Sequence, residues 1–142
     1  MTADEILKKY SWPTRTTALK TSIKEIESLA QFSLPDDYKT FIQTYSGSED
    51  HIGEQLVRLW DADEIIEQNK GYHITDNLSM TIGIGSNGTG EFIAIEMTDK
   101  DTHRIVLSPY IDLDKNCHIE IGNSFTDFLH RLNSGREWFE NS

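Results

Sequence analysis

The period of the apolar positions changes twice along this chain. From the N-terminus to about residue 45 they recur every three or four residues, the spacing of a helix face. From about 55 to 121 they alternate or run together in short stretches, as in strands. After residue 124 the helical spacing returns, with Phe125, Phe128, Leu129 and Leu132 on one face.

Local signals set the element ends. Thr2-Ala3-Asp4-Glu5 and Ser22-Ile23-Lys24-Glu25 each place a hydroxyl at the N-cap and a Glu at N3, so each predicts a helix start. The first helix should stop at Trp12-Pro13, and the second carries Ile23, Ile26, Leu29 and Ala30 on its inner face. Leu34-Pro35-Asp36-Asp37 opens a third, with Pro near N1 and two acids at the positive end of the dipole. Tyr38, Phe41, Ile42 and Tyr45 form its core stripe, and Gly47 its stop. Residues 48–54 read as an acidic loop, and 55–60 as the first strand. Asp61-Ala62-Asp63-Glu64 opens a short helix that ends near Asn69-Lys70-Gly71, and 72–78 reads as irregular. Strands at about 80–84, 91–97, 102–107 and 117–121 follow, the last with Cys117, Ile119 and Ile121 inward. Ser124 caps the final helix, and Trp138-Phe139 should tuck back onto the body.

The centre of this pattern is Ile82 to Ile95, read as strand, glycine-rich turn, strand. Phe92 to Met97 has the composition of a strand buried on both faces. Short links make the strands from 80 to 121 an antiparallel meander. The fold class is therefore α+β, a single domain over 1–142, with N-terminal helices and a C-terminal helix packed on a central meander sheet.

Gly83-x-Gly85-x-x-Gly88 spells the dinucleotide-binding fingerprint. That chemistry needs a helix N-terminus directly after the glycines, and here a strand follows. Thr89-Gly90 also stands where a phosphate loop needs Lys followed by Ser or Thr. The stretch is read as a structural hairpin turn, with no cofactor.

Charge narrows the partners. Net charge is −11, and it is uneven: residues 1–33 hold five basic and four acidic side chains, whereas 34–142 hold eight and twenty. Such a surface repels nucleic acid and anionic membranes and attracts basic partners. No apolar run approaches the roughly 20 residues of a membrane span, and the acidic start lacks the regions of a secretory signal. One cysteine, Cys117, leaves no intrachain disulfide, so a reducing cytoplasm is the expected compartment.

Other chemistry finds little support. Asp112-x-Asp114-x-Asn116 begins like a calcium loop, but Cys117 stands at its glycine and Asn123 at its bidentate acid. The five histidines lack zinc spacing, so no metal is expected. Cys117 and His118 are neighbours on a strand and would point to opposite faces, so they are no nucleophile and base. No catalytic residue stands out, and no enzyme is expected.

Several pieces in order resemble the SUKH superfamily, which contains fungal cell-wall regulators and many bacterial immunity proteins of polymorphic toxin systems. They are Ile26-x-x-Leu29, Leu34-Pro35-x-x-Tyr38-x-x-Phe41, Tyr45-Ser46-Gly47, Leu59-Trp60 with Glu64-Ile65, Asn87-Gly88-x-Gly90-Glu91 and Ser124-Phe125-x-x-Phe128-Leu129. The resemblance spans about 22–132 and implies a non-catalytic protein-binding domain. For a bacterial member it implies an immunity protein that neutralises a cognate toxin. The acidic surface suggests a toxin with a basic surface, such as a nuclease. A regulatory or scaffold module is the alternative, and the chain is expected to be a monomer or weak homodimer. In the meander, Glu91, Asp112 and Asp114 should cluster where the turn 85–90 meets the loop 108–116, with Lys115 their sole counter-charge. Glu49, Asp50 and Glu54 of the loop 48–54 are the second candidate partner-binding cluster.

Overall fold

Each strand of this protein pairs with the next one in the sequence. The computed structural model describes residues 1–139. In it β1 (Ser48–Ile52), β2 (Gln55–Leu59), β3 (Thr81–Ser86), β4 (Glu91–Met97), β5 (His103–Pro109) and β6 (Ile119–Gly122) form one antiparallel sheet in chain order. The helices are α1 (Ala3–Lys9), α2 (Ile23–Ala30), α3 (Asp36–Thr44), α4 (Ala62–Gly71), α5 (Ile74–Asn77) and α6 (Phe125–Asn133). Among the described residues, no helix is long and apolar enough to cross a membrane.

The helix starts follow their caps. Thr2 and Glu5, and likewise Ser22 and Glu25, exchange both hydrogen bonds of a capping box. At α6, Ser124 Oγ accepts from the Asp127 amide and Asp127 accepts from the Asn123 amide, each at 2.9 Å. Asp37 of α3 adds a tertiary cap, its carboxylate accepting from the amide and hydroxyl of Thr126. That contact fixes α3 on the N-terminus of α6.

Both faces of the sheet are covered. Gly83, Ala94 and Val106 are directly opposed, and so are Ile82, Ile95, Ile105 and Gly122, so the two sets point to opposite faces. Ile74 of α5 and Asn69 of α4 lie against Gly83, and Phe128 of α6 lies against Gly122. Helix α6 touches both edge strands, β1 and β6, so the sheet curls around it. Phe92 to Glu96 are all buried, as a strand covered on both faces requires.

One buried residue joins α4 to the sheet. Strand β2 pairs with β3 only at Arg58 and Leu59, followed by a bond from the Trp60 amide to the Ile84 carbonyl. Gly83 therefore has no strand partner on that side. The Asn69 amide replaces one: its oxygen accepts from Gly83 N at 2.8 Å and its nitrogen donates to Gly83 O at 2.9 Å. The nitrogen also bonds the Ile65 carbonyl, and Asn69 is fully buried. A Cβ at Gly83 would lie 2.9 Å from Ile74 Cδ1, too close for real atoms.

Four expectations change. Residues 48–52 are a strand, not a loop; with Glu49, Asp50 and His51 all exposed on a sheet edge, the apolar alternation that marks a strand is missing. Gly47 does not stop α3, which ends at Thr44 with Tyr45 extended; instead a Cβ there would be 2.2 Å from the Asp61 amide. The stretch 72–78 contains α5, too short to show a period. Finally, Cys117 lies in a 3-10 turn (Lys115–Cys117) rather than in β6, and Ile119 is 43% exposed because β6 is an edge strand; Ile121 does point inward. Trp138 packs on Phe128, whereas Phe139 stays exposed.

Phe41, Trp60 and Phe128 are buried. Phe41→Ala or Phe128→Ala should each destabilise the fold by about 3–5 kcal/mol in urea unfolding. Asn69→Ala should cost about 3 kcal/mol by leaving both polar groups of Gly83 unpaired. An Asn69→Ala midpoint equal to the parent's would show that the amide bridge contributes nothing.

Candidate partner-binding surface

The glycine turn is built for packing rather than for phosphate. Strand β4 follows it directly, so no helix dipole faces it. A Cβ at Gly85 would lie 2.1 Å from the Arg58 carbonyl oxygen, and Gly88 has φ +79°. The side chain of buried Asn87 fills the turn. Its oxygen accepts from the Thr89 amide (3.1 Å) and hydroxyl (2.9 Å), and its nitrogen donates to Glu91 at 2.8 Å.

Strand directions place the candidate acids. The turn after β1, the glycine turn and the start of the connection after β5 all lie at one end of the sheet. The Tyr110 amide bonds the Gly90 carbonyl at 3.0 Å, joining the last two. Glu54, in the first turn, and Glu91 are thereby brought to the same end, with Asp112 two residues beyond Tyr110.

All of these carboxylates but Glu54 have local partners. Glu49 binds Arg58 on the neighbouring strand, 2.7 Å from Nη2 and 3.0 Å from Nε. Asp50 accepts from the His51 amide, and Asp114 from the Asn116 amide as the cap of the 3-10 turn. Asp112 accepts from the Cys117 thiol at 3.4 Å, a bond that pushes the thiol pKa up. Glu54 is an exposed turn residue. Lys115 does not sit among them as their counter-charge: the connection turns back over the sheet, and Lys115 lines a hollow with Glu96, Lys100 and Arg104. Among the described residues no three histidine, cysteine or carboxylate side chains form a metal cluster.

The connection is held down by a charged cluster that the sequence reading passed over. Glu96 lies within the buried part of β4. It accepts from Arg104 Nε at 2.8 Å and from His118 Nδ1 at 2.7 Å. The His118 side chain is wholly buried, its Nε2 without a partner among the described residues. Burial alone would raise the Glu96 pKa, but the bonds from Arg104 and His118 outweigh it and hold the carboxyl below its ordinary 4.5. The signal was present: Glu96 is the one charged residue inside the run 92–97.

A depressed carboxylate pKa adds stability above its unfolded value, and that stability is lost as pH falls through the folded value. Glu96→Gln should therefore lower stability by about 3 kcal/mol at neutral pH. The difference from the parent should shrink as pH drops below 4.5. Thermal melts from pH 7 to pH 3 test this, and a difference that stays constant would show that the Glu96 charge is not what stabilises the cluster.

No curated protein matches the chain. The family model described as SMI1 / KNR4 family (SUKH-1) matches residues 17–131. The match runs from the segment ahead of α2 into the last turn of α6. It takes in the whole sheet, the glycine turn and the Asn69–Gly83 bridge, and over that span the chain belongs to the SMI1/KNR4 family.

Proposed function

We propose that the chain is a non-catalytic protein-binding domain, an immunity protein that neutralises one cognate toxin bearing a basic surface. Its family membership over 17–131 carries this reading. The charge pattern gives it direction, because the net −11 is concentrated after residue 33. Acidic surfaces steer basic partners into fast encounter. The family also contains regulators, so a module binding a host protein is the second reading.

An immunity gene sits beside its toxin gene. Expression of the adjacent open reading frame should arrest growth, and co-expression of this chain should restore it. Rescue that fails with both proteins soluble would favour the regulatory reading.

The acids differ in what they are expected to do. Asp50 and Glu54 are exposed, and Glu49 is partly neutralised by Arg58. Charge reversal at Glu49 and Asp50, and separately at Asp112 and Asp114, should slow association with the neighbouring gene's product about tenfold at low salt. The effect should fade as salt is raised, because rim charges are screened. Stopped-flow mixing at two ionic strengths measures this. Unchanged rates for both double variants would remove acidity as the principle of recognition.

A further inference from the structure

Nine glycines punctuate this chain, and the fold accounts for seven of them. Gly47, Gly83, Gly85 and Gly122 have no room for a Cβ, while Gly53, Gly88 and Gly135 have positive φ. Gly71 and Gly90 have neither constraint: a Cβ on either would meet nothing within 4 Å. Both flank one pair of rings. Gly71 precedes Tyr72, and the Gly90 carbonyl accepts from the Tyr110 amide.

Tyr72 and Tyr110 lie with ring centroids 4.5 Å apart, and Tyr110 rests on buried Phe92 at 5.1 Å. Tyr72 is 48% exposed, and next to Tyr110 stands Ile111, 96% exposed. A rigidly backed aromatic pair, an aliphatic side chain held out in water and bare backbone beside them have the composition of an interface centre. Burial pushes the Tyr110 hydroxyl up to about 12, so the ring is neutral at any physiological pH.

The charge around this patch selects its partner. Exposed Asp112 follows Ile111, and the Glu49–Arg58 pair lies on the Tyr110 side of the sheet. Arg58 is close enough to act on the Tyr110 hydroxyl, whereas Glu91, beside Phe92 on β4, points to the opposite face. Two other exposed apolar side chains, Ile119 and Phe139, line a hollow in which Arg131 and Arg136 are matched by Glu120 and Glu137, so its charge is balanced.

We propose that Tyr72, Tyr110 and Ile111, with the open backbone at Gly71 and Gly90, form the apolar centre of a docking surface for a protein whose own apolar contact is ringed by lysine and arginine. This rests on the protein-binding reading above, and it names the part of the surface that holds the partner once charge has brought it in. The carboxylates act on encounter, and the rings and Ile111 act on residence time.

The test uses neutral replacements that leave charge unchanged. Ile111→Ser and Gly90→Gln alter exposed positions, and Phe139→Ser serves as the control on the charge-balanced hollow. Each full-length variant is titrated by calorimetry, and its dissociation followed by surface plasmon resonance, with the protein encoded by the adjacent open reading frame, and each is first shown to melt with the parent. The expected result is a loss of affinity of about tenfold or more for Ile111→Ser and for Gly90→Gln, mainly in the dissociation rate, with Phe139→Ser unchanged. Parental affinity in both test variants, beside a parent that binds, would overturn this surface and leave the immunity reading standing. A parent that does not bind that protein overturns the immunity reading, and this surface with it.

Discussion

The side-chain amide of Asn69 takes the place of a missing strand, and the arrangement of this domain depends on it. Strand β2 separates from β3 after Leu59, which leaves both backbone groups of Gly83 facing α4. Two unpaired peptide groups in a dry interior would make that separation costly. Asn69 supplies a donor and an acceptor in the geometry of a neighbouring peptide. A side chain at Gly83 would crowd the bridge, since Ile74, Trp60 and the Asn69 oxygen already surround that position. One polar residue thus allows a helical layer to lie where the sheet would otherwise have to continue.

Acidity has more than one meaning in this chain. Glu5, Glu25, Asp61 and Asp127 cap helices, and Asp37 and Asp63 hold distant segments through backbone amides. Arg15, a largely buried side chain, pairs with Asp61 at 2.7 Å, and Asp61 also accepts from the Gly47 amide. The net charge therefore overstates what is free to meet a partner. The acids around the glycine-turn end are those whose hydrogen bonds are local and whose surroundings are open to solvent.

Most of the architecture was legible because its causes are local. Caps at Thr2, Ser22 and Ser124, the stripe Tyr38–Phe41–Ile42 and the strand–turn–strand unit around Gly88 each need only a few neighbouring residues to be recognised. What escaped depends on neighbours remote in sequence. Strand β1 is held by backbone pairing to β2 while Glu49, Asp50 and His51 face water, so only Ile52 marks its inner side and the alternation is missing. Glu96 lies in an otherwise apolar run, and its partners Arg104 and His118 converge on it only in the folded chain. The acids of the candidate surface could be picked from composition, but their placement needed the strand directions. The ring pair of exposed Tyr72 and half-buried Tyr110 carries no periodic signal at all.

The contact of α6 with both edges of the sheet also bears on how the chain reaches its fold. The six strands pair only with sequence neighbours, so most pairings close short loops and can form early, the exception being β2 with β3, which are separated by α4 and α5. Helix α6 follows every strand and nevertheless touches β1, the first of them. Until it is made, both edges of the sheet and the apolar face that α6 covers lack that cover. Exposed edges of that kind are templates for pairing between chains. The interval between the completion of β6 and the docking of α6 is thus the stage at which this protein is most exposed to misassembly during synthesis.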